Sequence, residues 1–137
     1  MWDMKAEMLP GLSGSAAEEL EAVVRLLSAM RVGIGTFPSE AVLQEAVARA
    51  LAGIPHRREQ RVAPRCRIDF LTDSGVGIEV KRGKQSDVLP QLERYAAADA
   101  VQALVLLTER RFVVPATVGG KPCVAVVLSY LWGVATR

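Results

Sequence analysis

The stretch Cys66–Arg82, CRIDFLTDSGVGIEVKR, decides the fold. Two apolar runs, Arg67-Ile68-Asp69-Phe70-Leu71 and Gly77-Ile78-Glu79-Val80-Lys81, flank the turn formers Thr72-Asp73-Ser74-Gly75. That pattern predicts a β-hairpin, with strands over 66–71 and 76–81. Asp69 sits between Ile68 and Phe70, and Glu79 between Ile78 and Val80, where burial is otherwise wanted. Glu79 and Lys81 are two apart on a strand and project from the same face. The turn brings the Asp69 strand beside them, so two carboxylates and one ammonium can meet at one end of a sheet. Unpaired charges in such strands are costly, so each needs a partner or a metal. Adjacent carboxylates repel and favour a divalent cation with oxygen ligands, Mg2+ or Mn2+. A lysine beside them can orient or help deprotonate water, or stabilise charge on a phosphate. The alternative is a Glu79–Lys81 pair on an exposed strand face, with Asp69 solvated.

Upstream, Arg58–Ala63 reads as a further strand ended by Pro64. Before it, Phe37-Pro38-Ser39-Glu40 opens a helix with Pro38 at its start, and Gly53 and Pro55 close it. Leu43, Ala46, Val47, Ala50, Leu51 and Ile54 make one apolar stripe along it. On a wheel of ~100° per residue, Glu40 falls beside Val47 and Leu51, on the core-facing side at the helix start. It is a candidate ligand or an acid favoured by the helix dipole. Gln44 lies at the stripe's edge, and Glu45 falls outside it. An earlier helix runs over Ala16–Met30, with Leu20, Val23, Val24, Leu27 and Met30 at spacings of three and four. Downstream come a helix from about Asp87 to Asp99 and a buried strand of the parallel kind over Gln102–Leu107. A loop follows over Pro115–Pro122 with its turn at Gly119-Gly120, then a strand over Val124–Leu128; Tyr130–Ala135 fits either class. The order predicts one α/β (α+β layer) domain, with a core over about 38–107, an N-terminal helical extension over 1–36 and a C-terminal extension over 108–137.

Half of the 137 residues are hydrophobic, enough for a core without disulfides or a structural metal. The two cysteines, Cys66 and Cys123, have no C-x-x-C spacing and read as buried thiols, so neither a four-cysteine zinc site nor an iron–sulfur cluster is expected. His56 is the only histidine, which excludes a His-rich site, and no G-x-S-x-G, G-x-G-x-x-G or P-loop motif occurs. No apolar run reaches the ~20 residues a membrane span needs, and the start of the chain lacks a secretory pattern. The expectation is therefore a soluble, cytoplasmic domain without a membrane partner. Net charge is only +2, yet Arg57, Arg58, Arg61, Arg65 and Arg67 stand against Glu59 alone, and Lys81-Arg82-Gly83-Lys84 follows. Such clusters are either ordinary solvated faces or phosphate-neutralising patches.

The set Glu40, Asp69, Glu79-Val80-Lys81, in this order of elements, resembles the PD-(D/E)XK nuclease superfamily, the restriction-endonuclease-like fold. Gln91 and Tyr95, four apart on one helix face, resemble the Q-x-x-x-Y motif of its RecB-type branch. The chain departs from that branch in carrying Cys66 where a glycine is common, and in lacking the cluster cysteines. The resemblance implies metal-dependent phosphodiester hydrolysis, in DNA rather than RNA. Asp69 and Glu79 would bind Mg2+ or Mn2+ with the Val80 carbonyl as a further ligand, and Glu40 would act directly or through water. Lys81 would position or activate the attacking water. Gln91 and Tyr95 would contact substrate or brace the site, Arg82, Lys84 and some of Arg57–Arg67 would hold phosphates, and Gln44 would lie along the substrate. The alternative is a non-cleaving nucleic-acid-binding or accessory module on the same fold. The N-terminal helix can pack on the core or form a homodimer surface.

Overall fold

A computed structural model describes residues 14–33, 40–82, 87–109 and 111–131. Val76–Lys81 is buried at every position but the last, as a central strand is. Val76, Ile78 and Val80 pack into one hydrophobic cluster, and Gly77 and Glu79 face the other way. The elements in chain order are α1 (Gly14–Ala29), β1 (Arg31–Gly33), α2 (Glu40–Ala50), β2 (His56–Ala63), β3 (Cys66–Thr72), β4 (Val76–Lys81), α3 (Val88–Ala96), β5 (Ala103–Thr108), β6 (Thr117–Val118), β7 (Lys121–Val127) and β8 (Ser129–Leu131). Six of the strands form one mixed sheet in the order β2-β3-β4-β5-β7-β6. The β2–β3 and β3–β4 pairs are antiparallel, and β5 runs parallel to both β4 and β7. The architecture is α+β, with helices on both faces of the sheet.

Leu20, Val23 and Leu27 of α1, and Leu43 and Val47 of α2 with Leu51 after it, cover one face. They pack on Phe70, Ile78, Val80, Val105 and Leu107. Val88, Leu92, Tyr95 and Ala96 of α3 cover the other, against Ile68, Leu104, Leu106 and Cys123. Both cysteines are buried and free. The predicted strand over 102–107 is β5, buried at every position because helices cover both its faces.

The β3–β4 turn is fixed from several sides. Gly75 has φ +99°, its N–H donates to the Thr72 carbonyl at 3.0 Å, and Thr72 Oγ1 accepts from the Val76 N–H at 2.9 Å. The Ser74 N–H donates to Glu19 of α1 at 3.2 Å, tying that helix to the turn. A Cβ on Gly75 would lie 2.6 Å from Gln102 Cγ and 3.0 Å from the Ala100 carbonyl.

Boundaries move where helix ends tighten. The α2 pattern extends to Ile54, but after Ala50 the chain closes through i→i−3 bonds, Ala52 to Arg49 and Ile54 to Leu51. In the same way α3 stops at Ala96, short of the expected Asp99, with Ala98 bonded to the Tyr95 carbonyl. The expected loop over 115–122 instead holds a hairpin. Gly119 and Gly120 have φ +57° and +79°, and Thr117–Val118 pairs with Lys121–Pro122 across them. A short parallel pair, β1 with β8, joins Arg31–Gly33 to Ser129–Leu131. Pro38 lies outside the described residues. No helix among the described residues is long and apolar enough to cross a membrane.

Candidate active site

The β3–β4 ladder is short. It pairs Phe70 with Ile78 and Leu71 with Gly77, and beyond that point the strands part. Where the next rungs would fall, carboxylates take the main-chain donors. The Val80 N–H donates to Asp69 Oδ2 at 2.8 Å, and the Asp69 N–H donates to Glu79 Oε1 at 3.4 Å. Each acid thus caps the backbone of the other's strand, which answers the demand that buried N–H groups find acceptors.

Asp69 also marks a slip in the alternation of β3. Ile68 packs with the α3-side cluster, and Phe70, two residues on, packs with the α1/α2 side. Residues two apart on a regular strand share a face, so the alternation changes sides at Asp69, while the register with β2 stays constant from Arg58 to Arg61. Glu59, between the β2 residues that pair with Ile68 and Phe70, has φ +50°. Gly77 makes room for the slip, since Ile68 Cδ1 lies 2.5 Å from where its Cβ would be.

Glu79 is 6% exposed and faces α3. Its Oε1 lies 2.9 Å from Tyr95 Oη, which is also 3.0 Å from the Arg67 carbonyl. The one phenolic proton serves these two acceptors, and Gln91 Nε2 donates to the same hydroxyl at 2.9 Å. Tyr95 is 2% exposed, so Gln91 and Tyr95 brace the carboxylate from beneath.

Burial pushes the Glu79 carboxyl up to about 7, the Asp69 charge adds to the rise, and the Tyr95 hydrogen bond and Lys81 oppose it. Burial likewise raises Asp69 to about 6 against the pull of the Val80 N–H. Glu40 and Glu59 push it further up, and Lys81 pulls it down. Burial and the neighbouring Glu79 raise the Tyr95 phenol, which stays a donor. Two carboxylates held this far above their ordinary values are ionised at a cost that a cation would relieve.

Lys81 is half-buried, two residues beyond Glu79 on the same strand, and close enough to lower both acids. Glu40 differs from its expected core-facing place. It is exposed at the start of α2, where the buried stripe has not yet begun, since the first buried position of the helix is Leu43. Its charge nevertheless reaches Asp69, and Gln44 Nε2 donates to its Oε2 at 3.3 Å. Glu45 is exposed and pairs with Arg58 at 2.7 Å. Arg82 is engaged by Glu109, whose Oε2 lies 2.9 Å from both Nε and Nη2. Lys84 lies outside the described residues. His56 packs on Phe70 with ring centroids 5.8 Å apart and pairs in register with Thr72, the last residue of β3.

Among the described residues no group of three or more His, Cys, Asp or Glu side chains is gathered to hold a metal ion. The side-chain donor set is the Asp69–Glu79 pair, and their hydrogen bonds use Oδ2 of one and Oε1 of the other. Hard oxygen donors of this kind suit Mg2+ or Mn2+. Neither the Arg67 carbonyl nor Glu109 is marked by any local pattern, since both contacts are made across long separations. No family model matches the chain, and neither curated proteins nor solved structures give a match.

Proposed function

We propose that the chain is a divalent-metal-dependent nuclease that hydrolyses phosphodiester bonds in DNA, on a restriction-endonuclease-like core. The observation that carries the reading is the mutual capping of Asp69 and Glu79 where β3 and β4 part, with Lys81 on the same strand as Glu79. The order of elements supports it too: α2, antiparallel β2–β3–β4, α3, then β5 parallel to β4. Asp69 and Glu79 would hold Mg2+ or Mn2+ with the Val80 carbonyl, and Glu40 would reach it through water. When bound, such an ion neutralises charge developing on phosphoryl oxygens and acidifies water.

The chain's own residues do the rest. Tyr95 and Gln91 fix the Glu79 carboxylate in one orientation, and the Val80 N–H fixes that of Asp69. Lys81, on the same edge, orients the attacking water or stabilises negative charge on the phosphate. A second reading, a non-cleaving nucleic-acid-binding module, draws on the satisfaction of both carboxylates within the chain, by two main-chain N–H groups and the Tyr95 hydroxyl.

The two readings separate in one assay. Wild type and Glu79→Ala are incubated with plasmid, linear duplex, single-stranded DNA, a four-way junction and RNA, each with Mg2+, Mn2+ or EDTA. Cutting that needs the metal and is lost in the variant is expected. Salt-sensitive binding without cutting by the wild type would overturn the nuclease in favour of the module.

A further inference from the structure

We propose that the tip of the β2–β3 hairpin is a clamp for the phosphate backbone of duplex DNA, gripping it through Arg61, Arg65 and Arg67. The proposal deepens the nuclease reading and rests on it for the identity of the polymer. Past the point where β3 leaves β4, residues 60–63 and 66–68 continue as a two-stranded ribbon. Arg61 and Arg67 face each other directly across it. Like charges at directly opposed positions destabilise a sheet, and the relief on hand is slight. Glu59 is 3.9 Å from Arg67, with both side chains more than half exposed. Arg65 stands at the turn after Pro64 with φ +59°, a conformation that favours glycine. Together these arginines and Cys66 line a concavity of about 270 Å³. Arginines converging on one concavity, two of them opposed and one in a left-handed turn, are explained by an anion that lies among them. Guanidinium groups recognise phosphate oxygens with paired donors.

The ribbon is coupled to the carboxylate pair. The Arg67 carbonyl is 3.0 Å from the Tyr95 hydroxyl that touches Glu79, so the strand that carries Arg67 is tied to that carboxylate. A single strand would need exposed rings on which bases stack. Among the described residues Phe70 and Tyr95 are buried, and Phe112 packs against the α3-side core. Guanidinium contact with phosphates favours the duplex, which carries one charge per ~1.7 Å of axis.

The test uses Glu79→Gln as a non-cutting background and a fluorescent 30-base-pair duplex, with its single strand and a scrambled duplex as comparisons. Arg61→Ala and Arg67→Ala should each weaken duplex binding several-fold. Each should also lower the slope of log K against log salt by about 1. The scrambled duplex should behave identically, and the single strand should bind more weakly. Thermal unfolding of Arg61→Ala should match or exceed the background, since a like-charge contact is gone, which separates lost binding from lost folding. An unchanged salt slope, or a single strand bound as tightly as the duplex, would overturn the clamp. Metal-dependent cutting with an unaltered salt slope in the arginine variants would sink the clamp and leave the nuclease. Arginine-dependent binding by a wild type that never cuts would do the reverse.

Discussion

Replacing Glu79 by Gln should make the metal-free protein more stable at pH 8, although it alters the centre of the site. Gln keeps an Oε1 that can accept from the Tyr95 hydroxyl and the Asp69 N–H, and it cannot ionise. In the wild type, Glu79 titrates near 4.5 when unfolded and is pushed up to about 7 in the fold. Between these values the native state binds more protons than the unfolded chain, so stability falls as pH rises. The penalty is absent below about pH 4.5 and complete above about pH 7. At ~1.36 kcal/mol per unit it amounts to about 3 kcal/mol at pH 8. For a chain of 137 residues, with unfolding entropy near ~2.1 cal/mol/K per residue, that is roughly 10 °C in Tm. Thermal scans by circular dichroism in EDTA, from pH 4.5 to 8, would read the difference directly. The gap between variant and wild type should open from near zero to its full size across that range. Adding Mg2+ at pH 8 should then raise the wild type and leave the variant almost unmoved. A variant no more stable than wild type at pH 8, or a gain equal at both ends of the range, would refute the burial of an ionised Glu79 at a cost.

Tyr95→Phe removes the hydroxyl shared by Glu79 and the Arg67 carbonyl and should cost about 1–3 kcal/mol. Because that hydrogen bond holds Glu79 down, the carboxyl should titrate above its present value of about 7, which NMR of a labelled glutamate side chain would follow. Gly75→Ala should lose more stability than Gly120→Ala in denaturant unfolding. Both have positive φ, but a Cβ at Gly75 meets Gln102 and Ala100, and one at Gly120 meets nothing within 4 Å. Backbone strain alone is of order 1–3 kcal/mol, and the Gly75 variant adds displacement of neighbouring atoms to it.

Periodicity and turn chemistry are local, and they were enough to read most elements. The 3.6-residue stripes of Leu20–Leu27 and Leu43–Leu51, the turn at Thr72–Gly75 and the continuous apolar run of β5 all have the class expected of them. The same pattern singled out Asp69, Glu79 and Lys81, because a charge inside an apolar strand stands out against its neighbours. Tertiary structure alone decided how they meet. Ile68 and Phe70 read as one face of a strand, yet the slip at Asp69 sends them to opposite cores. Which rungs a ladder keeps depends on both strands at once, so the parting of β3 from β4 left no local mark. Three-residue strands such as β1 and β8, nearly a hundred positions apart, carry too little pattern to announce their pairing. Glu40 shows the limit of a helical wheel, which gives the face a residue occupies but not where along the helix burial begins. The opposition of Arg61 to Arg67 and the capture of Arg82 by Glu109 follow from register and packing. The sequence determined which charged side chains interrupt the apolar strands and on which elements they stand. Folding decided which groups face each other, because burial, strand register and long-range hydrogen bonds exist only once distant segments are in contact.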